Sequence, residues 1–243
     1  MRPRVLVIRN DPRSTLGRYQ QWLQESGLEP VLHPGEDGLP SSLAGFHALI
    51  MLGGGLMPDD DEKAPWLPDE RALVTQAIDE QVPILGICLG AQVLALVAGG
   101  QVRANYGTIE RGATRMELRA EAGQDSLFAG VPQVFHAIQN HRDTITALPP
   151  QAVHLATNQA CPFQSFRVGP VAWGVQFHPE ASSVNVTRWS HEGIRADGFD
   201  PADLIAQAEA VEAQSQLACR TIADNFAQVV LERAAEATPA AQR

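Results

Sequence analysis

Several functional classes are excluded by what this chain of 243 residues holds little of. It has three cysteines, Cys88, Cys161 and Cys219, too few and too far apart for a disulfide framework, and no pair has zinc-ligand spacing. Lys63 is the only lysine, and 18 basic residues stand against 28 acidic ones for a formal charge of −10. A protein that neutralises phosphates needs a basic face, so nucleic acid is not an expected partner. No apolar run approaches the roughly 18 residues needed to cross a bilayer, and "MRPRVLVIRN" lacks the apolar region and cleavage site of a signal peptide. A cytoplasmic protein without a membrane partner is expected. Neither the P-loop spacing nor G-x-G-x-x-G is present, so the glycines do not mark a phosphate loop. The run Asp59, Asp60, Asp61, Glu62 cannot aim every carboxylate at one ion and is expected to be a solvated face. No metal and no cofactor are expected.

With 44% hydrophobic residues the chain can bury a sizeable core. "RVLVIRN" (4–10), "HALIML" (47–52) and "VPILGI" (82–87) are short continuous apolar runs. Helical patterns fall between them at "STLGRYQQWLQESG" and "PWLPDERALVTQAIDEQ". Continuous rather than alternating runs, interleaved with helices, predict an open, mostly parallel sheet with helices on both faces. "TRMELRA", "QVFHAIQ", "VHLAT", "QSFRV" and "VAWGVQF" follow with little helix between them and predict an antiparallel extension. From Asp200, an expected N-cap, and Pro201, the spacing of Leu204, Ala208, Val211, Ala218, Ile222, Phe226 and Val229 predicts one long helix or two, with a gap between 211 and 218. The last ten residues, "AAEATPAAQR", are expected to fray. The expected division is a main domain at 1–190 and a C-terminal helical extension at 191–243 packed on it.

Three stretches carry chemistry. In "PILGICLGAQVLA" a cysteine has glycine two residues to either side, the thiol version of the G-x-S-x-G turn that lifts a nucleophile from a strand into a helix N-terminus. On its own the pattern leaves two readings open, a reactive Cys88 or a small buried spectator beside glycines that permit close packing. "VAWGVQFHPE" reads as a strand that delivers His178 at its end, with Glu180 in reach of the same ring to fix its tautomer. "IMLGGGLMP" ends a strand in three glycines whose amides could meet a developing oxyanion together with the amide of Leu89. His33, His47, His136, His154 and His191 have no partner visible in sequence. Cys161 and Cys219, without glycine brackets, are expected to be packed thiols.

The order of a glycine loop, "GICLGAQ" and "FHPE" resembles the class I glutamine amidotransferases over roughly residues 4–185. The stand-alone GMP-synthase-like branch is the most similar, through "MPDDDEKAPWL" and "ACPFQSFRVG". The resemblance implies a flavodoxin-like sheet and a triad of Cys88, His178 and Glu180. Cys88 would attack the glutamine side-chain amide and His178 would protonate the departing ammonia. It further implies an oxyanion hole from Leu89 and a glycine amide, Gly54 or Gly55, and a substrate pocket lined by Gln92 and by Asn140, His141, Arg142 and Asp143 of "QNHRD". Gly55 stands where the family commonly has proline, and "AIQNHRD" departs from the branch's usual aromatic-His-Gly-Asp form. The implied activity is glutamine hydrolysis, with ammonia passed to a separate synthetase. A self-sufficient hydrolase of γ-glutamyl amides and a non-enzymatic glutamine-binding module are the alternatives.

Overall fold

The computed structural model describes residues 2–237. Eleven strands alternate with helices in chain order: β1 (Arg4–Arg9), α1 (Tyr19–Glu25), β2 (Glu29–Pro34), β3 (Ala48–Met51), α2 (Leu67–Asp79), β4 (Ile84–Ile87), α3 (Leu89–Val97) and β5 (Gln101–Arg103). After these come β6 (Glu110–Leu118), β7 (Val134–His141), β8 (Thr144–Ala147), β9 (Val153–Thr157), β10 (Ser165–Val168) and β11 (Ala172–Val175). The chain finishes with α4 (Ser183–Thr187), α5 (His191–Ala196) and α6 (Pro201–Ala237).

Nine strands form one sheet in the order β2-β1-β3-β4-β11-β10-β9-β6-β7, and β5 pairs with β8 apart from it. The first five of that order are mutually parallel, and the rest join antiparallel. Both halves of the expected architecture are therefore present. The edge strand β2 was not foreseen, because Pro30 and Pro34 weaken its signal. It pairs only with β1, and an edge tolerates residues that cannot donate to a second neighbour.

Alternation along the parallel strands sends side chains to two cores. Val5, Val7, Ile50, Leu85, Ile87, Trp173 and Val175 face α1 and α6, whereas Leu6, Ile8, Leu49, Met51 and Ile84 face α2 and α3. Phe226 of α6 lies edge-on to Trp173 with ring centroids 6.5 Å apart, and burying each such ring is worth about 1.5–3 kcal/mol. The C-terminal segment thus completes the core on one face of the sheet.

α6 is one helix, capped as expected: the Asp200 carboxylate accepts from the amide of Ala202 at 2.7 Å, and Pro201 occupies the first helical position. Its early residues Leu204 and Ala208 pack with Ile138, Val186 and Ile194, and its later ones from Ala218 onward enter the main core. The gap in the apolar stripe falls where the helix passes from one cluster to the other. Residues 234–237, expected to fray, are helical, and the remainder of that expectation, 238–243, lies outside the described residues.

Candidate active site

Three adjacent parallel strands end at the same edge. β4 and β11 run in register, Ile87 opposite Val175, and β3 pairs with β4 through Met51 and Gly86. Their carboxyl ends deliver Cys88, the Gln176–His178 segment and the Gly53–Gly55 loop together, the edge where open α/β sheets place their sites.

Cys88 is a strained residue, with φ 54° and ψ −107°, a conformation costing a non-glycine residue about 1–3 kcal/mol. The turn requires the flanking glycines. A Cβ on Gly86 would lie 2.5 Å from the carbonyl oxygen of Gly90, and one on Gly90 would lie 2.4 Å from that of Met51. Cys88 immediately precedes α3, so its sulfur sits at the positive end of that helix. The spectator reading has no account of the strain.

The backbone amide of His178 is held by the carbonyl of Ile138 at 2.8 Å. Its Nδ1 lies 2.7 Å from Oε1 of Glu180. Nε2 is buried and has no hydrogen-bond partner of good geometry among the described residues. Burial by itself would lower the imidazole pKa, but the charges of Glu180 and Cys88 outweigh it and hold it well above its usual value. The shift favours the charged form of the ring beside the sulfur. Gly53 lies against both groups, since a Cβ there would stand 2.9 Å from Cε1 of His178 and 3.8 Å from Sγ of Cys88.

The glycine loop is held from behind by Asn10, at the end of β1. The Asn10 amide donates to the carbonyl of Leu52 and to Glu70, and its oxygen accepts from the Trp66 indole at 2.8 Å. This explains the "PWL" helix start after the acidic loop: Trp66 and Glu70 fix the residue that fixes the loop. Burial raises the Glu70 carboxyl to a pKa of about 7 despite the bond from Asn10. The Gly53 carbonyl accepts from the Ser14 hydroxyl at 2.8 Å, so the Gly54 amide in the same peptide plane points the opposite way. That amide has no acceptor among the described residues. Gly55 is exposed.

The family model for glutamine amidotransferase class-I matches residues 20–188. The chain belongs to that family. It is 37% identical over 184 residues to the glutamine-hydrolyzing GMP synthase subunit of Pyrococcus abyssi, covering 73% of this chain and 90% of that one. It is 31% identical over 191 residues to the protein of the same name from Thermoplasma acidophilum, covering 76% and 88%. A solved glutamine amidotransferase from Thermotoga maritima is similar with a TM-score of 0.84 at 27% identity, covering 94% of this chain and 99% of that one.

Within this class-I domain the other expected site residues divide. Gln92 is buried and donates to the carbonyl of Asp143 at 3.1 Å and to Oε1 of Gln176 at 3.3 Å, while Gln176 donates to Sγ of Cys88 at 3.7 Å. Gln92 is thus two hydrogen bonds from the sulfur. Asn140 and Arg142 are exposed, and Arg142 is turned toward the C-terminal segment. Arg111 donates to Asn140, and Asp197 at the end of α5 pairs with both Arg111 and Arg142. His141 is buried with both nitrogens committed, Nδ1 to the carbonyl of Asp143 at 3.1 Å and Nε2 to Glu110 at 3.0 Å. Neither nitrogen is left for a ligand.

Sequence reasoning overlooked Gln176 and Asn10. A signal existed for Gln176, because it stands two residues before His178 on an extended segment, where alternate side chains share a face.

It also gave no hint of a second cysteine-histidine-carboxylate group. Glu110, His141 and Cys161 are all buried, with donor atoms within 4.8 Å of one another. Glu110 accepts from Asn158 and Gln164 besides facing His141. Burial, reinforced by the charge of Glu110, pushes the Cys161 thiol up to a pKa of about 12. This cluster lacks both a strained turn and an idle imidazole nitrogen.

No helix among the described residues is long and apolar enough to cross a membrane. The Asp59–Glu62 run is a surface feature as expected, with Asp60 bound to Lys63 and Asp61 to Arg71. Cys219, like Cys161, is buried, and burial raises its thiol to a pKa of about 11.

Proposed function

We propose that the protein hydrolyses the side-chain amide of glutamine through a γ-glutamyl thioester on Cys88 and hands the ammonia to a separate synthetase chain. The observation that carries this reading is the strained Cys88 beside an imidazole whose other nitrogen is fixed by Glu180. The Cys88 thiolate adds to the amide carbon, and the resulting oxyanion is met by the amides of Leu89 and Gly54. Of the two loop amides expected, Gly54 is favoured by the opposed Gly53 carbonyl, and Gly55 by nothing comparable. The His178 imidazolium gives its proton to the departing nitrogen, which leaves as ammonia. Neutral His178 then takes a proton from water as it attacks the thioester, the thiolate departs, and glutamate is released. Glu180 keeps Nδ1 protonated and the ring aimed throughout.

Gln92 is the substrate contact this arrangement supports best. Arg142 is engaged by Asp197 and Asn140 by Arg111, and His141 acts through the Asp143 carbonyl that Gln92 also uses. The separate acceptor rests on the similarity to relatives named as one component of a glutamine-hydrolysing synthase. Incubating the purified protein with glutamine and with a panel of γ-glutamyl amides, and measuring glutamate and ammonia, tests the reading. Release from glutamine that vanishes in Cys88→Ala is expected. Turnover confined to γ-glutamyl amides would replace the proposed substrate, and unchanged turnover in Cys88→Ala would overturn the mechanism.

A further inference from the structure

Glu180 lies beyond the end of β11, on a turn that the sheet does not hold, yet its carboxylate must keep a 2.7 Å contact with His178. Two other elements hold that turn. The start of α1 approaches closely, with the Arg18 amide donating to the carbonyl of Glu180 at 3.0 Å and its Nε to that of Pro179 at 3.3 Å. Gly17 permits this approach: it has φ +50°, and a Cβ there would lie 2.2 Å from the Glu180 carbonyl oxygen. From the other side comes Glu212 of α6. Its Oε1 accepts from Nη1 of Arg18 at 2.9 Å, and its Oε2 from the Ser183 amide at 2.7 Å. Ser215, one turn on, accepts from Nη2 of Arg18 at 3.2 Å.

One carboxylate therefore closes a ring around residues 179–183: Glu212 to Arg18, Arg18 to the carbonyls of Pro179 and Glu180, and Ser183 back to Glu212. The Arg18 side chain is 11% exposed and that of Glu212 28%, so water screens the contact only in part. Glu212 and Ser215 occupy the stretch where the apolar stripe of α6 lapses between Val211 and Ala218. A polar interruption on a helix otherwise docked by apolar contacts is explained if those positions serve the turn.

We propose that Arg18 and Glu212 are positioning residues, which brace the Pro179–Ser183 turn between α1 and α6 and so set the direction of Glu180 toward His178. The proposal rests on the triad assigned above. It gives the C-terminal helix a part in the site as well as in the core. The charged or titratable groups around the braced carboxylate are His178, Arg18, Tyr19 and Cys219, with Cys88 acting on the same imidazole.

A plain docking role for these contacts has its own marker. Arg220 also ties α6 to α1, through Glu25 and its own neighbour Asp224, without touching the turn. The test measures the rate of alkylation of Cys88 by iodoacetamide against pH, with the labelled cysteine identified by mass spectrometry, alongside glutaminase turnover. If Glu180 loses its aim, the imidazolium that supports the thiolate is weakened, and the midpoint of the alkylation profile moves to higher pH. Glu212→Ala and Arg18→Met are expected to raise that midpoint by at least about half a unit and to lower kcat by about tenfold or more. Glu212→Gln, which keeps an acceptor oxygen, restores part of both, and Arg220→Ala leaves the midpoint unchanged.

A wild-type midpoint in Glu212→Ala overturns the proposal. So does an equal shift in Arg220→Ala, which would make the effect one of helix docking alone. Should Arg18→Met fail to fold, the Glu212 pair decides. Because alkylation needs no glutamine, a protein inactive on glutamine but with the expected shifts would overturn the substrate reading and leave the brace standing.

Discussion

The described residues hold two groups of cysteine, histidine and glutamate, and they could hardly be used more differently. In Cys88, His178 and Glu180 the thiol sits on a strained turn at a helix N-terminus, and the imidazole has one nitrogen bound and the other idle. In Cys161, His141 and Glu110 the carboxylate accepts from three side chains, both imidazole nitrogens are engaged, and burial drives the thiol pKa to about 12. A buried polar network with every group satisfied gives rigidity, whereas reactivity needs a donor or acceptor kept idle at a cost. Residue types alone do not separate the two; satisfaction of their hydrogen bonds does.

The sharpest way to break the comparison is to exchange the thiols for methyl groups. Cys88→Ala is expected to reduce glutamate release at least about 10⁴-fold, and Cys161→Ala to leave kcat within a few-fold of wild type. Steady-state assays on both proteins check this, and equal losses would dissolve the distinction.

Next come the carboxylates. Glu180→Gln should cost about 10²–10³ in kcat with little loss of stability, and Glu110→Gln should cost about 2 kcal/mol of stability, since the amide replaces an acceptor oxygen with donors. Denaturant melts beside kinetics separate them. The pH dependence has a definite sign. The folded His178 pKa is raised, so its imidazolium is retained above the usual range and lost as pH rises through the folded value. Glu180→Gln removes the main charge that raises that value, and the alkaline limb of kcat should move to lower pH.

Gly53→Ala tests the space between the groups of the first cluster alone. A Cβ 2.9 Å from the His178 ring should displace it and lower kcat by about tenfold or more, while the melting temperature changes by only a few degrees. The smallest effect is expected from zinc. Adding it should leave the melting temperature unaltered, because an ion at the second cluster would have to displace the donors on Glu110 and the proton on Cys161. A stabilisation lost in Cys161→Ala would make that cluster a metal site.

Much of this was legible in the chain. The parallel strands, the glycine-bracketed Cys88 and the strand-end His178 with Glu180 are local patterns whose spacing carries the geometry. β2 escaped notice because its prolines are tolerated only at an edge, and edge position is a property of the assembled sheet. The roles first assigned to Asn140, His141 and Arg142 came from a motif that the sequence departs from, and their partners Arg111, Glu110 and Asp197 lie 29, 31 and 55 positions away.

By itself, then, the sequence determined that a thiol would be lifted on a turn where Gly86 and Gly90 leave no room for a side chain, and that His178 and Glu180 would lie within reach of each other. Gly86 against Gly90, and His178 beside Glu180, are contacts over a few residues, fixed by backbone sterics and strand alternation; the close approach of Gly90 to Met51 on β3 is not. Only the tertiary structure decided which of the two clusters has an idle nitrogen, which glycine lies over the sulfur, and that Glu212, more than thirty residues beyond the strand that carries His178, holds the turn of Glu180. Those depend on how the helices pack across the sheet, and packing brings together atoms that no local spacing relates.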